Sequence, residues 1–500
     1  MFLILFGALY SFSALVSPFW VGNDAWSNLL PIIHYRDSIL NDRSLPLYTD
    51  LWYGGRAQWE NPLWSFLYPP ATVVYLFTPL DWGTRIVYAG HLLFILFSGR
   101  RLASLFSDFE LEKTAAAILF ASPVLPAFTA GQSEKIMSWG WVLLGVYFLL
   151  SLRRSEWETG LWAGLCLGII PLTGSNYYAF YAGILFSFLL IGRGKWKTAA
   201  FFALGASIGL LHLPSVLYLA GESRGNVAQS IQEFRLSIAG VVTSLSIGLA
   251  KPMGWETWAP VGVPVVYLFF KKIYLKFKHA GAWMPLERSL MISLLIFVLL
   301  GTGLAYTGHH LLDTFRVPMR AVSFIALVVL LVVIVRPPQA QGQRNSLLIL
   351  SAVQVAVLSM MIRPDGALYS PYDAQAQHLA DLLKQSGAKS VWISMRELND
   401  MYIQAVLNQN GLSLPNVYYG DMGQEVKITG DYCGYSFDHL VVPAPAVKDS
   451  IELKADMEWS DERGEISIRS LEQVGRTAVN GIDYQVFRVR CDFNDTGQIP

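Results

Sequence analysis

Three clusters of polar residues in this chain have the types that acid–base and phosphate chemistry requires. The first lies between 22 and 70, directly after an apolar segment, and opens with Asp24. It carries Asp24, His34, Arg36, Asp37, Asp50, Arg56 and Glu60, interleaved with Trp26, Tyr35, Tyr48, Trp52, Tyr53, Trp59 and Trp64. The second is Gln132, Ser133, Glu134 and Lys135, and the third is HHLLDTFRVPMR, with His309, His310, Asp313, Arg316 and Arg320. A carboxylate positioned against a hydroxyl or amide can take its proton. Two arginines four residues apart at a helix start share a face and can grip a phosphate through their forks.

Each cluster also has a plainer explanation. Asp24 precedes a segment, 25–40, that reads as amphipathic, so it can equally cap a helix by accepting its first amides. Asp37 on that segment fits a solvated or ion-paired residue, with Arg36 or Arg43 as partner. The arginines of FRVPMR can snorkel to lipid headgroups. The aromatics suit a membrane-interface belt as well as a sugar-stacking surface. Glu60 and Asn61 stand before Pro62 and fit a turn, and Tyr68-Pro69-Pro70 stops and redirects the chain.

The elements that must position these residues follow from composition. Fifty-three per cent of the residues are hydrophobic and 15% charged, with mean hydropathy +0.40. A soluble domain carries about 25% charged residues, so the chain reads as an integral membrane protein. Its 37 Lys+Arg balance 37 Asp+Glu, which argues against a nucleic-acid partner, since that would require a basic face. No zinc spacing, phosphate-cradling glycine loop or serine nucleophile elbow occurs. No metal ligands are assigned, and the cofactor is left open, a divalent cation included.

Eleven apolar segments are long enough to cross a bilayer: near 1–20, 84–105, 114–130, 135–152, 159–173, 175–191, 197–220, 256–271, 286–306, 317–335 and 346–362. Two shorter ones, 68–80 and 236–250, suit the interface or a re-entrant turn. Arg100, Arg101 and Lys113, then Arg153 and Arg154, then Arg193, Lys195 and Lys197, then Lys271, Lys272, Lys276, Lys278 and Arg288, then Arg336 and Arg344 fill every second loop. Cytoplasmic loops collect such residues. This parity predicts a cytoplasmic amino terminus in a multi-pass cell-membrane protein, with the first loop (21–83) and the carboxyl-terminal tail outside.

The membrane domain is predicted over 1–363. From 364 to 500 the composition becomes that of a soluble α/β domain. Helices are predicted over 374–385 and 397–408, and strands over 390–394, 417–419, 439–442, 465–469 and 484–489. Cys433 and Cys491 fall in this outer part, where an oxidising compartment permits a disulfide between them but spacing alone does not establish one. Cys166 lies in an apolar helix and reads as packing.

The order VGNDAW, LPLYTDLWYGG and NPLWSFLYPP, followed late in the chain by FRVPMR, resembles multi-pass proteins of the GT-C glycosyltransferase superfamily. Within it, the pattern is most similar to the large YfhO-type membrane proteins. The resemblance covers roughly 1–335 in topology and a few short motifs in sequence. It implies sugar transfer outside the membrane from a polyprenyl-phosphate donor to a glycan, lipid or protein acceptor, with Asp24 as the base. Arg316 and Arg320, assisted by His309 or His310, would then hold the donor phosphate. His34, Asp37, Trp52, Arg56, Glu60 and Glu134 would line the substrate site. Asp24 is followed by Ala25, so the paired acidic motif of the protein mannosyltransferase and aminoarabinose transferase branches is missing. Two other classes stay open: a lipid or polysaccharide transporter or flippase, with ionisable residues at mid-membrane, and a non-catalytic envelope assembly protein, which would not need Asp24.

Overall fold

The computed structural model describes residues 23–49, 56–57, 65–125, 132–151, 154–214, 235–248, 258–279, 283–304, 318–335, 341–360, 374–393, 410–413, 438–443, 453–454, 465–466, 471–479 and 482–489, with a few single positions between them. Two units result. One comprises Met1–Pro18 and Glu60–Asp365, and the other Phe19–Trp59 and Gly366–Pro500. Part of the predicted first outer loop therefore groups with the carboxyl-terminal residues. It forms α1 (Asn23–Leu40) and a ribbon of β1 (Tyr48–Thr49) against β2 (Arg56–Ala57).

The other unit is helical: α2 (Pro69–Phe77), α3 (Leu80–Ala103), α4 (Glu110–Ala121), α5 (Ser133–Leu150), α6 (Glu156–Leu172), α7 (Asn176–Arg193), α8 (Trp196–Ala206), α9 (Ile238–Ile247), α10 (Val263–Lys278), α11 (Pro285–Gly301), α12 (Val322–Ile334) and α13 (Gln341–Met360). The predicted segments from 84 onward each overlap one of these helices. Only Trp82–Ala103, within α3, is both long and apolar enough to cross a membrane, among the described residues. The others are shorter or have polar ends. Segment 1–20 lies outside the described residues.

Local chemistry sets the helix ends. Ser155 and Glu158 form a reciprocal capping box at α6, each side chain accepting the other residue's amide. Gly194 closes α7 at φ +64°, a conformation glycine adopts without a Cβ penalty. Arg193 donates to the carbonyls of Leu149 and Ser151 (2.8 and 3.2 Å), satisfying the carboxyl end of α5.

Packing then joins the helices. Gly160, Gly164 and Gly168 repeat every four residues on α6 and face α8. A Cβ on Gly164 would sit 2.1 Å from the Phe202 carbonyl oxygen, so the two backbones touch directly. Every residue of α12 is buried, as expected of a helix apolar all round. At its start Phe324 meets Trp139, Tyr178 and Phe297 with ring centroids 5.4, 5.4 and 5.5 Å away. Trp139 anchors this cluster by donating its indole N–H to the Phe120 carbonyl at 2.7 Å.

Two buried polar groupings lock helices together. Trp141 donates to the Tyr68 hydroxyl (2.9 Å), which lies 2.8 Å from His91 Nε2, while His91 Nδ1 lies 2.6 Å from the Val87 carbonyl. The carbonyl can only accept, so Nδ1 carries the proton and Tyr68 donates to Nε2. Elsewhere, buried Glu287 of α11 pairs with Lys272 and Lys276 of α10 at 3.1 and 2.9 Å. Lys272 also donates to the Val332 and Val335 carbonyls at the end of α12.

In the second unit, α14 (Ala374–Gln385) covers a four-stranded sheet of order β3-β4-β8-β7, from β3 (Val391–Ile393), β4 (His439–Pro443), β7 (Leu471–Val479) and β8 (Ile482–Val489). β3 pairs parallel to β4, and the remaining pairs are antiparallel. A ribbon of β5 (Leu453–Lys454) and β6 (Glu465–Ile466) stands apart from that sheet. β7 carries an irregularity between Gln473 and Gly475, where Leu382 of α14 approaches so closely that a Cβ would lie 2.7 Å from it. Cys433 and Cys491 lie outside the described residues, and Cys166 is a buried free thiol in α6.

Candidate functional site

Within the helical unit, a small cavity of about 10 Å³, room for about one water, is lined by Pro123, Ala127, Gln132, Lys135, Tyr178, Arg320 and Ser323. Its chemistry follows from where these residues stand on their helices. Lys135 is the third residue of α5, Tyr178 the third of α7 and Ser323 the second of α12, and Arg320 lies in the 3-10 turn Pro318–Ala321 that leads into α12. Three helix amino ends therefore meet at one place. Each carries a partial positive charge, and α5 and α7 begin with amides that lack intrahelical acceptors, whereas α12 continues from the 3-10 turn.

Two full positive charges add to that field. Lys135 is 7% exposed and Arg320 half-buried. Lys135 shares the first turn of α5 with Glu134, and the cation and the acid there act on the helix dipole in opposite senses. The Arg320 guanidinium lies over the Tyr177 ring, 4.3 Å from its centroid, which fixes its plane. Tyr178 donates to the Ser323 hydroxyl at 3.2 Å, joining α7 to α12 at the cavity wall. Among the described residues no carboxylate lines the cavity. Such a site stabilises an anion, and its fork, ammonium, amide and hydroxyl groups suit phosphate oxygens.

The predicted residues divide as follows. Arg320 lines the cavity. Glu134 neighbours Lys135 in sequence but is not among the lining side chains; it is half-buried, and its carbonyl is 3.5 Å from the Thr173 hydroxyl. Asp24 falls in the first turn of α1, which begins at Asn23; its side chain lies outside the description. A carboxylate there favours the helix's positive end. His34 is buried on the same helix. Asp37 is half-buried and accepts from the Asn41 side-chain amide at 3.2 Å. Burial foremost, with Asp42 nearby, pushes its carboxyl above the ordinary value despite Arg36. Arg56 is in β2, described for its backbone only. Trp52, Glu60, His309, His310 and Arg316 lie outside the described residues.

Lys135 and Gln132 belong to the second cluster marked in the sequence, whereas Tyr177, Tyr178 and Ser323 were not anticipated. Their one sequence signal is position, directly after the apparent start of an apolar helix. Among the described residues no three His, Cys, Asp or Glu side chains gather as metal ligands.

No protein-family profile matches the sequence, and no curated protein is significantly similar to it. Solved structures do match. Against arabinofuranosyltransferase AftD from Mycobacteria the TM-score is 0.57 at 15% identity, covering 99% of this chain and 40% of AftD. The chain thus spans well under half of that enzyme's length. Against ArnT from Cupriavidus metallidurans, bound to undecaprenyl phosphate, the TM-score is 0.50 at 13% identity, covering 97% of each chain. Against the oligosaccharyltransferase AglB from Archaeoglobus fulgidus, in complex with an inhibitory peptide and a dolichol-phosphate, it is 0.51 at 11% identity, covering 89% of this chain and 69% of AglB. At such identities the likeness is one of fold.

Proposed function

We propose that this chain is a multi-pass cell-membrane glycosyltransferase, nearest in kind to the YfhO-type proteins. It moves a sugar from a polyprenyl-phosphate donor to an extracytoplasmic glycan, lipid or protein. The observation that carries this reading is the convergence of Lys135, Arg320 and three helix amino ends on one cavity. Sugar transfer from a lipid phosphate leaves negative charge on that phosphate, and preorganised cations and amides stabilise it as it develops. The structures of ArnT with undecaprenyl phosphate and of AglB with a dolichol-phosphate give the same fold a lipid phosphate of that class.

In this reading Lys135 and Arg320 hold the donor phosphate, together with Arg316 and His309 or His310 from the same segment. Asp24 takes the acceptor's proton as the new glycosidic bond forms and the phosphate departs. The membrane domain spans 1–363, and 364–500 is an outer α/β domain. The test reconstitutes purified protein with radiolabelled polyprenyl-phosphate sugars, with and without divalent cations. Wild type should release or transfer sugar, and Asp24→Asn, Lys135→Ala, Arg316→Ala and Arg320→Ala should each lower the rate, by about 10²–10³ for loss of a phosphate-stabilising group. Equal rates in all five proteins would overturn the assignment.

A further inference from the structure

Helix α10 presents an unusual outer face. Val263, Tyr267, Phe270, Tyr274 and Phe277 are each at least half exposed, and their spacing of four, three, four and three places them on one stripe. Val265, Val266 and Phe269 are buried on the other side. The lysines of this helix divide in the same way. Lys272 and Lys276 turn inward to Glu287. Lys271 and Lys278 lie over rings of the outer stripe, their ammonium groups 5.7 Å from the Tyr267 centroid and 5.9 Å from that of Tyr274. The two Tyr–Lys pairs repeat after seven residues, about 10 Å along the axis. Residues 263–288 hold five Lys and Arg against the single acid Glu287.

We propose that this stripe binds anionic phospholipids, with acyl chains on its aromatic and aliphatic side chains and one headgroup phosphate on each of Lys271 and Lys278. An apolar face bordered by cations, on a segment with excess positive charge, is complementary to a lipid that is apolar along its length and negative at its head. The aromatic rings hold the two ammonium groups at the stripe rather than away from it. The inference requires the chain to reside in a membrane and does not depend on sugar transfer.

The test is retention of phospholipid by the full chain, extracted from nanodiscs of equal parts phosphatidylglycerol and phosphatidylcholine and weighed by native mass spectrometry. Wild type should retain phosphatidylglycerol preferentially. Lys271→Gln and Lys278→Gln should each weaken that preference roughly fivefold, and Lys271→Arg/Lys278→Arg should restore it. Lys195→Gln, which removes a lysine paired with Glu156 on a different helix, should leave it unchanged. Melting in phosphatidylcholine alone checks that every variant is folded. An unchanged preference in the folded double glutamine variant would overturn the proposal. So would loss of a dimer with unchanged lipid retention, because the stripe would then belong to a second copy of the chain.

Discussion

A lysine in the first turn of a helix works against the helix's own field, and Lys135 shares its cavity with Arg320. Like charges facing one space repel, and an anion between them reverses the sign of the interaction. If the anion is the donor phosphate, Lys135→Ala should impair transfer in a protein that still melts cooperatively. Parallel rate and melting measurements check both. Tyr177 contributes through its ring, so Tyr177→Phe should preserve donor KM and Tyr177→Leu should raise it several-fold. A second residue-scale expectation concerns Asp438. Burial pushes its carboxyl up, yet hydrogen bonds from His439 and from the Lys389 and Ser390 amides outweigh that and hold it below the ordinary value of 3.8. A lowered carboxylate adds stability above the unfolded value and loses it as pH falls through the folded one. Melting of the second unit should therefore weaken on acidification below about pH 4, and Asp438→Asn should flatten that dependence; an identical acid limb in both proteins would refute it.

At the scale of elements, the cavity depends on where α5, α7 and α12 begin, and those starts are held by packing at some distance. The glycine contact of α6 with α8 admits no side chain, so Gly164→Leu should force these helices apart and destabilise by several kcal/mol, at or beyond the upper end for overpacking, read as a fall in melting temperature in detergent. Tyr68→Phe removes the one hydroxyl that serves both Trp141 and His91. Leaving two buried polar groups without that partner costs about 1–3 kcal/mol each; a Tyr68→Phe protein as stable as wild type would show that the relay is not a lock. Helix positions were legible in the sequence because long apolar runs have few alternatives, and the helix at Ala374–Gln385 and the strands near 391, 439 and 484 were legible from periodicity. Strand β7 was missed. Its LEQVGRTAV mixes polar residues with a glycine at the irregularity after Gln473, which breaks the alternation that marks a strand.

For the whole molecule, the relation of sequence to fold is less direct. Eleven spans were read from hydropathy, whereas one described helix meets the length and apolarity of a membrane span. Buried α12 and glycine-packed α6 show why: these helices satisfy one another through contacts that hydropathy does not count. The cavity was only partly legible. Its lining residues run from Pro123 to Ser323, and nothing local in the sequence reveals that three helix ends meet. Residue type could mark Arg320 and the Gln132–Lys135 turn as polar groups at helix starts; only the fold brings them together. The grouping of Phe19–Trp59 with Gly366–Pro500 likewise rests on tertiary contacts that no composition boundary marks. The central claim is that this cavity holds the phosphate of a polyprenyl-linked donor. Its most direct measurement is equilibrium binding of undecaprenyl phosphate to the purified full chain and to Lys135→Ala/Arg320→Ala, with folding checked by melting. The expected result is saturable binding that weakens at least about tenfold in the double variant, given about 1.5–3 kcal/mol for each charged hydrogen bond lost. Equal affinity in the two folded proteins would contradict it.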